Sequence, residues 1–363
     1  MIPAPSMLAL VGDAFGGRGG IAQYNRDFLG ALMGAGAVSS IHLLPRKIVD
    51  PAAPPDGVIQ DKPQPGRVSY CVGALDGALR RRIDIVFCGH LYMAPLAALV
   101  ARLKRARLVI QTHGVEAWRQ PSRLCRAAVE AADLVLCVSR FTRARVLDWA
   151  AIAPERILVL PNTVAGAFTP GDGSALREAW GLQGKRVLLT VGRMDGRERY
   201  KGHDRVIAAI PQLVAEGHDV AYVVLGDGDD RDRLAALAHE AGVGDRVRFI
   251  GAVSQESLVD AYRMADLFVM PSTGEGFGIA FLEAMASGTP ALGLAAAGAP
   301  DALAEGELGT AVAEADLASA IGRALAAPRP EPRALAANVS TRFGREPFAV
   351  GACAAVNRLL AAR

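Results

Sequence analysis

The segment Pro271–Pro290, PSTGEGFGIAFLEAMASGTP, sets two glutamates eight positions apart, Glu275 and Glu283. A glycine-rich turn surrounds the first, and a helical pattern carries the second. A carboxylate offers several acceptor sites, so it can grip neighbouring hydroxyls. Glycines let a ligand approach the backbone, and the N–H groups at the helix start behind them suit an anion. Two hydroxyl-gripping acids around one anion site match a molecule carrying a sugar, a diphosphate and a ribose in series.

Cations that could meet such a diphosphate occur in Val191–Asp204, VGRMDGRERYKGHD. Breaking a sugar–phosphate bond builds negative charge on the departing group, and something positive must meet it. Arg193 would supply a planar fork for phosphate oxygens and Lys201 a mobile point charge. Arg197 and Arg199 share the loop and read as solvated. A second glycine cluster, Gly12–Phe28, follows the first strand and opens a helix, with Gly19 and Gly20 where a phosphate loop would turn. Its GxGxxG-like spacing wants an acid about 20 positions on to hold a ribose. The second strand instead ends His42-Leu43-Leu44-Pro45, which speaks against a nicotinamide cofactor, and the absence of GxxxxGK[ST] weakens an ATPase reading. His113, in QTHGVEAW, stands at the carboxyl end of a buried strand with Glu116 three residues on. Such strand ends are where open α/β sheets bind ligands. Asp227-Gly228-Asp229 has the spacing of a metal-binding pair, but it opens a helix, where acids are favoured anyway. No further ligand motif completes it, so no metal and no cofactor are expected.

These motifs need scaffolds. At 363 residues the chain is long for one core, which predicts two domains. In the first half strands are expected at Leu8–Val11, Ile41–Leu44, Val68–Cys71, Ile83–Phe87, Leu108–Thr112, Leu134–Val138 and Ile157–Leu160. In the second they are expected at Val187–Val191, Ala221–Leu225, Val247–Ile250, Leu267–Met270 and Ala291–Leu294. Helical patterns such as Ile21–Met33 and Pro95–Lys104 lie between them. The alternation predicts an α/β chain of two doubly wound, Rossmann-like domains facing an interdomain cleft. Gly166–Gly173 reads as the linker, so the domains should span 1–165 and 166–344. A last helix in 345–363 should pack back on the first domain.

The composition is that of an ordinary globular chain, with no bilayer-spanning run and no secretion signal at the start. Five cysteines without a CxxC pair read as reduced residues of a cytoplasmic protein. Net charge is +3 but uneven. Residues 1–165 hold 20 Lys and Arg against 12 Asp and Glu, and residues 166–363 hold 20 against 25. The clusters Arg80-Arg81-Arg82 and Arg102, Lys104, Arg105, Arg107 read either as solvated helix faces or as contacts to an anionic leaflet on the inner side of the cell membrane. No stacking aromatics interleave with them, so nucleic acid is not an expected partner.

Taken together the motifs resemble the family-4 glycosyltransferases, retaining enzymes of the GT-B fold. The resemblance runs from about Val11 to Gly309 and is strongest in the second half. Glu275 and Glu283 match that family's EX7E pair, and the flanking PS, EGFG and AMASGTP make the match specific. The resemblance implies that Glu275 contacts the donor sugar and Glu283 the nucleotide ribose. It implies that Arg193 and Lys201 bind the diphosphate, and that Gly19 and Gly20 approach the phosphates. It further implies that His113 lies near the donor sugar, and that backbone from Gly276, Phe277, Gly278 and Ile279 hydrogen-bonds sugar and phosphate. Asn162-Thr163 stands where many members have Asn-Gly, and Ala297–Asp301 replaces a common GGxxE near the expected nucleotide pocket.

The expected activity is therefore metal-independent hexosyl transfer from a GDP- or UDP-hexose, mannose first, to a hydroxyl acceptor with retention. A lipid-linked or saccharide intermediate of surface-polysaccharide synthesis is the acceptor class this implies. Three rivals stand beside it. A nucleotide-sugar epimerase on the same fold would release nucleotide without an acceptor product. A nicotinamide oxidoreductase would bind its cofactor, and a binding module would show no turnover.

Overall fold

Runs of buried aliphatic residues pair as two separate, all-parallel sheets, each with its own core. The computed structural model describes residues 4–17, 19–50 and 52–361. The chain divides into two units, one formed by residues up to Thr163 together with those from Arg345 onward, the other by Val164–Gly344.

The first unit holds β1 (Ser6–Val11), α1 (Gly20–Gly34), β2 (Ser40–Pro45), β3 (Val58–Gln60), α2 (Arg67–Arg80), β4 (Ile85–Cys88), α3 (Ala94–Lys104), β5 (Arg107–Thr112), α4 (Arg123–Ala131), β6 (Leu134–Cys137), α5 (Arg140–Trp149) and β7 (Ile157–Val159). Its sheet has the order β3-β2-β1-β4-β5-β6-β7. The strands read as near-continuous apolar runs because both faces are covered. The buried sides of α2, α3, α4 and α5 share one apolar cluster with β4, β5 and β6.

One expected strand is a helix. Val68–Cys71 lies within α2. The β-branched and aromatic alternation Val68-Ser69-Tyr70-Cys71-Val72 imitates a strand. The buried positions Tyr70, Ala74 and Ala78 recur at every fourth residue, however, and that helical period decides the structure. The strand at this edge of the sheet is β3 instead, which is too short to show a pattern.

The second unit holds α6 (Ser174–Ala179), β8 (Arg186–Val191), α7 (His203–Ala215), β9 (Val220–Leu225), α8 (Arg231–Glu240), β10 (Val247–Gly251), α9 (Gln255–Met264), β11 (Leu267–Met270), α10 (Ile279–Ala286), β12 (Ala291–Leu294), α11 (Ala299–Ala302), β13 (Thr310–Val312), α12 (Leu317–Ala326) and α13 (Pro332–Phe343). Its sheet order is β10-β9-β8-β11-β12-β13. The five strands expected from the sequence all form, with β13 added at the edge. The chain then returns to the first unit as α14 (Arg345–Ala361), which packs on α1 through Phe348 set edge-on to Tyr24 at 5.7 Å.

Candidate active site

The carboxyl ends of neighbouring parallel strands necessarily open on one edge, and the strand order decides which loops meet there. In the second unit β8 and β11 are neighbours. The loop after β8 carries Arg193 and Lys201, and the loop after β11 carries Glu275. The two loops are stitched by a hydrogen bond from Thr273 N–H to the Tyr200 carbonyl, 2.9 Å. Gly202, at φ 79°, turns the first loop into α7 so closely against the second that a Cβ there would stand 2.4 Å from the Pro271 carbonyl oxygen. A side chain at Gly274 would likewise strike the Tyr200 ring.

That packing brings Lys201 to Glu275, with Nζ 2.9 Å from Oε1 and both side chains only 15% exposed. Burial pulls the lysine pKa down, but the attraction and hydrogen bond of Glu275 outweigh it, and the net shift is upward. Lys201 is thus held as a cation, largely buried against Glu275. Arg193 leaves the same loop in another direction. It is largely exposed and donates to Glu198 Oε1 at 2.5 Å. Its backbone is held from beneath by His203, whose Nε2 lies 3.3 Å from the Arg193 carbonyl oxygen. Arg197 reaches Asp195, and Arg199 reaches the buried Asp230. Asp229 accepts the Gly196 N–H at 2.7 Å, a structural role in this same loop, and no cluster of metal-ligating side chains occurs among the described residues.

Gly276, Phe277 and Gly278 lead from Glu275 into α10, whose first residue is Ile279. Phe277 is buried against Phe343 of α13, and Gly278 adopts φ 98° at the cap. This anchors the helix start and leaves the N–H groups of Ile279 and Ala280 without helical acceptors, while Phe281 N–H donates to the Gly278 carbonyl at 3.0 Å. Glu283 faces inward and is 8% exposed. Its Oε2 accepts the Tyr262 hydroxyl of α9 at 2.8 Å. Burial pushes its pKa up to about 7, although the tyrosine bond pulls the other way. A solvated helix face is thereby excluded for this residue.

In the first unit β1, β4 and β5 are neighbours, so the loops after them share an edge. After β1 the loop is pinned by Arg26, which donates to the carbonyls of Ala14 and Gly17, and by Asn25, which donates to that of Asp13. Gly19 caps α1 at φ 87° with open space where a Cβ would be, and Gly20 begins the helix. Arg18 of that loop lies outside the described residues. After β5 comes His113. Its Nε2 is 2.9 Å from the Gly89 carbonyl, which can only accept, so this nitrogen carries the proton and Nδ1 keeps a lone pair. Glu116 accepts the His113 backbone N–H at 2.5 Å.

Three residues that the sequence motifs do not single out contribute. His90 follows β4 with its ring centroid 6.1 Å from that of His113. Its Nδ1 accepts the Tyr92 N–H, so the neutral ring carries its proton on Nε2. The two histidines therefore offer one lone pair and one N–H, the two halves that a hydroxyl needs. Burial lowers both pKa values and so favours the neutral rings, although Glu116 pulls the other way. The rule that selects His113, a histidine just past a buried strand, selects His90 equally well. Tyr262 and His203 carry no such signal, because their roles depend on contacts from distant elements.

Comparison with known proteins places these observations in a family context. The profile described as Glycosyl transferases group 1 matches residues 174–341, and that of Glycosyltransferase Family 4 matches residues 18–165. The GDP-mannose-dependent alpha-(1-6)-phosphatidylinositol monomannoside mannosyltransferase of Mycolicibacterium smegmatis is 34% identical over 270 residues, covering 69% of each chain. The D-inositol 3-phosphate glycosyltransferase 1 of Catenulispora acidiphila is 31% identical over 289 residues, covering 72% of this chain and 67% of that protein. Among solved structures, Anabaena HepE in complex with UDP superposes with a TM-score of 0.78 at 20% identity, covering 97% of this chain and all of that one. Sucrose-phosphate synthase of Thermosynechococcus elongatus gives 0.77 at 24% identity, covering 99% and 100%.

Proposed function

We propose, from the premise that this chain belongs to glycosyltransferase family 4 and has the GT-B fold, that it moves mannose from GDP-mannose to a hydroxyl of a lipid-linked or saccharide acceptor. Glycosyl transfer is the family's activity. The donor, the acceptor, retention at the anomeric carbon and independence of metal go further. Relatives named as GDP-mannose-dependent phosphatidylinositol monomannoside mannosyltransferases support this donor and a lipid-borne acceptor.

The observation that carries the reading is the contact of Lys201 with Glu275 across 74 residues of sequence. It puts a fixed cation beside a hydroxyl-gripping acid at the mouth of a helix N-terminus. In the proposed reaction the bond from the sugar's anomeric carbon to the diphosphate oxygen breaks, and a bond from that carbon to the acceptor oxygen forms. The acceptor's proton passes to the departing diphosphate. Lys201, the amides at the start of α10 and Arg193, once turned from Glu198, would meet the growing negative charge. Glu275 would hold the sugar and Glu283 the ribose diol. Both carboxylates are already engaged, one by Lys201 and the other by Tyr262. That supports front-face attack through an oxocarbenium-like transition state.

Thermal shift with GDP, UDP and ADP tests the donor, because a ligand that binds the native state raises its stability. GDP should give the largest shift. Turnover of GDP-mannose in chelator should then yield a mannosyl product of unchanged anomeric configuration. A larger shift with UDP would replace the donor, an inverted product would end the front-face reading, and nucleotide release without a glycoside would favour the epimerase.

A further inference from the structure

Helices α9 and α10 meet through a buried polar contact. Tyr262 of α9 is fully buried and donates its hydroxyl to Glu283 Oε2 at 2.8 Å. Its neighbours fix where that hydroxyl sits. The Tyr262 ring lies edge-on to Phe168 and to Phe268, each at 5.7 Å between centroids, and the Tyr262 carbonyl accepts the Thr289 hydroxyl at 2.6 Å. Burial and the nearby carboxylate hold the phenol proton on, so Tyr262 serves Glu283 as a donor.

That bond divides the carboxyl group. Oε2 is spent on the tyrosine, while Oε1 takes no hydrogen bond from the described residues and is the oxygen left open. When ionised, Oε1 offers lone pairs to the two hydroxyls of a ligand diol. When protonated, the group carries its proton on that open oxygen and presents a donor instead. Burial pushes the Glu283 pKa up to about 7, and the Tyr262 bond pulls it back. The charged groups on the helices packed against α10 are Glu256, Asp260 and Arg263 of α9, Asp301 of α11, and Arg333 and Arg342 of α13. None of them shifts Glu283, and the neighbouring strands β11 and β12 carry no charge. We propose that Tyr262 is a positioning residue for donor binding, which aims the open oxygen of Glu283 at the ribose diol and keeps it an acceptor near neutral pH. This rests on the reading that Glu283 holds the ribose.

Calorimetric titration with GDP and with UDP tests it in the wild type, Tyr262→Phe, Glu283→Gln and the double variant. Tyr262→Phe should weaken nucleotide binding roughly fivefold at pH 7 and hardly at pH 9, where the carboxylate ionises without help. The nucleotide's own titration is common to all four proteins and cancels in the ratio. In Glu283→Gln the buried tyrosine proton still needs an acceptor, so it draws the amide carbonyl and turns the NH2 group toward the ribose. Adding Tyr262→Phe frees the amide to turn round. The double variant should therefore bind nucleotide about fivefold more tightly than Glu283→Gln alone. One substitution thus weakens binding in one background and tightens it in the other, a coupling that lost packing does not produce. A loss in Tyr262→Phe that is equal at pH 7 and pH 9, or that simply adds to the loss in Glu283→Gln, overturns the proposal and leaves the ribose reading standing. Unchanged affinity in Glu283→Gln removes the ribose reading itself, and this proposal with it.

Discussion

The two units share a fold plan but spend their apolar residues differently. All twelve large apolar side chains left exposed among the described residues belong to the first unit, and the second has none. The second unit instead desolvates charge, holding Lys201 against Glu275 and Glu283 against Tyr262. A parallel sheet with covered faces accounts for neither fact by itself. One unit has been left with surface that another body could cover. The other carries buried ionisable groups of the kind that cost stability and gather at binding sites.

The largest expected effect tests the second unit's half of that contrast. Lys201→Ala should lower kcat by on the order of 100- to 1000-fold, as when a donor to developing negative charge is removed. A loss below tenfold would mean that the ion pair is structural, and the contrast would fail. Gly202→Ala is the next strongest probe. Its Cβ would meet the Pro271 carbonyl in a left-handed turn, so the two loops must part. A destabilisation of about 1–3 kcal/mol is expected, with a rate loss that tracks the separation of Lys201 from Glu275. Normal turnover in a destabilised Gly202→Ala would uncouple the packing from the chemistry.

Glu283 tests the cost of buried charge directly. Its native pKa of about 7 exceeds the ordinary carboxylate range, so folding favours the protonated form. The stability this gives is fully present at acid pH below the unfolded value, and it is lost as pH rises through about 7. Glu283→Gln cannot ionise, so it should be more stable than the native chain at pH 8, on the order of 2–3 kcal/mol, while binding donor nucleotide more weakly. Denaturant melts at acid and alkaline pH, paired with nucleotide titration, check both halves. Equal stability at alkaline pH would show that the carboxylate is not desolvated as described.

How much of this was legible beforehand also differs between the units. The five expected strands of the second unit all form, because Val187–Val191 and its counterparts are short, largely apolar runs set between helical patterns. Glu275, Glu283, Arg193 and Lys201 could be picked out as site candidates from residue type and spacing. That Lys201 touches Glu275 could not, since it depends on β8 and β11 being neighbours, a property of strand order and not of local pattern. Nor could the partnership of Tyr262 with Glu283, which joins two helices. In the first unit Val68–Cys71 read as a strand because Val68, Tyr70 and the next valine, Val72, alternate with smaller residues. Those valines are the side chains that α2 turns to solvent. A periodicity argument assumes that apolar means buried, and it fails where the outer face of a helix is apolar too.

The smallest expected effect asks whether the first unit contributes polar chemistry as well as a surface. His90 and His113 stand at adjacent strand ends with opposite hydrogen-bonding needs, His90 presenting Nε2–H and His113 the Nδ1 lone pair. A substrate hydroxyl can donate to one and accept from the other. His90→Phe removes the N–H and should cost about tenfold in kcat/KM, the worth of one ordinary hydrogen bond. His90→Gln keeps an amide N–H at similar reach and should recover most of it. A ring serving only to pack would show the reverse order, with phenylalanine tolerated and glutamine not. Because burial lowers both histidine pKa values against the pull of Glu116, the rings are already neutral within the usual histidine range, and the loss in His90→Phe should be greatest from that range upward. If phenylalanine substitutes without loss across that range, the first unit's part in the reaction reduces to its glycine loop and its outer face.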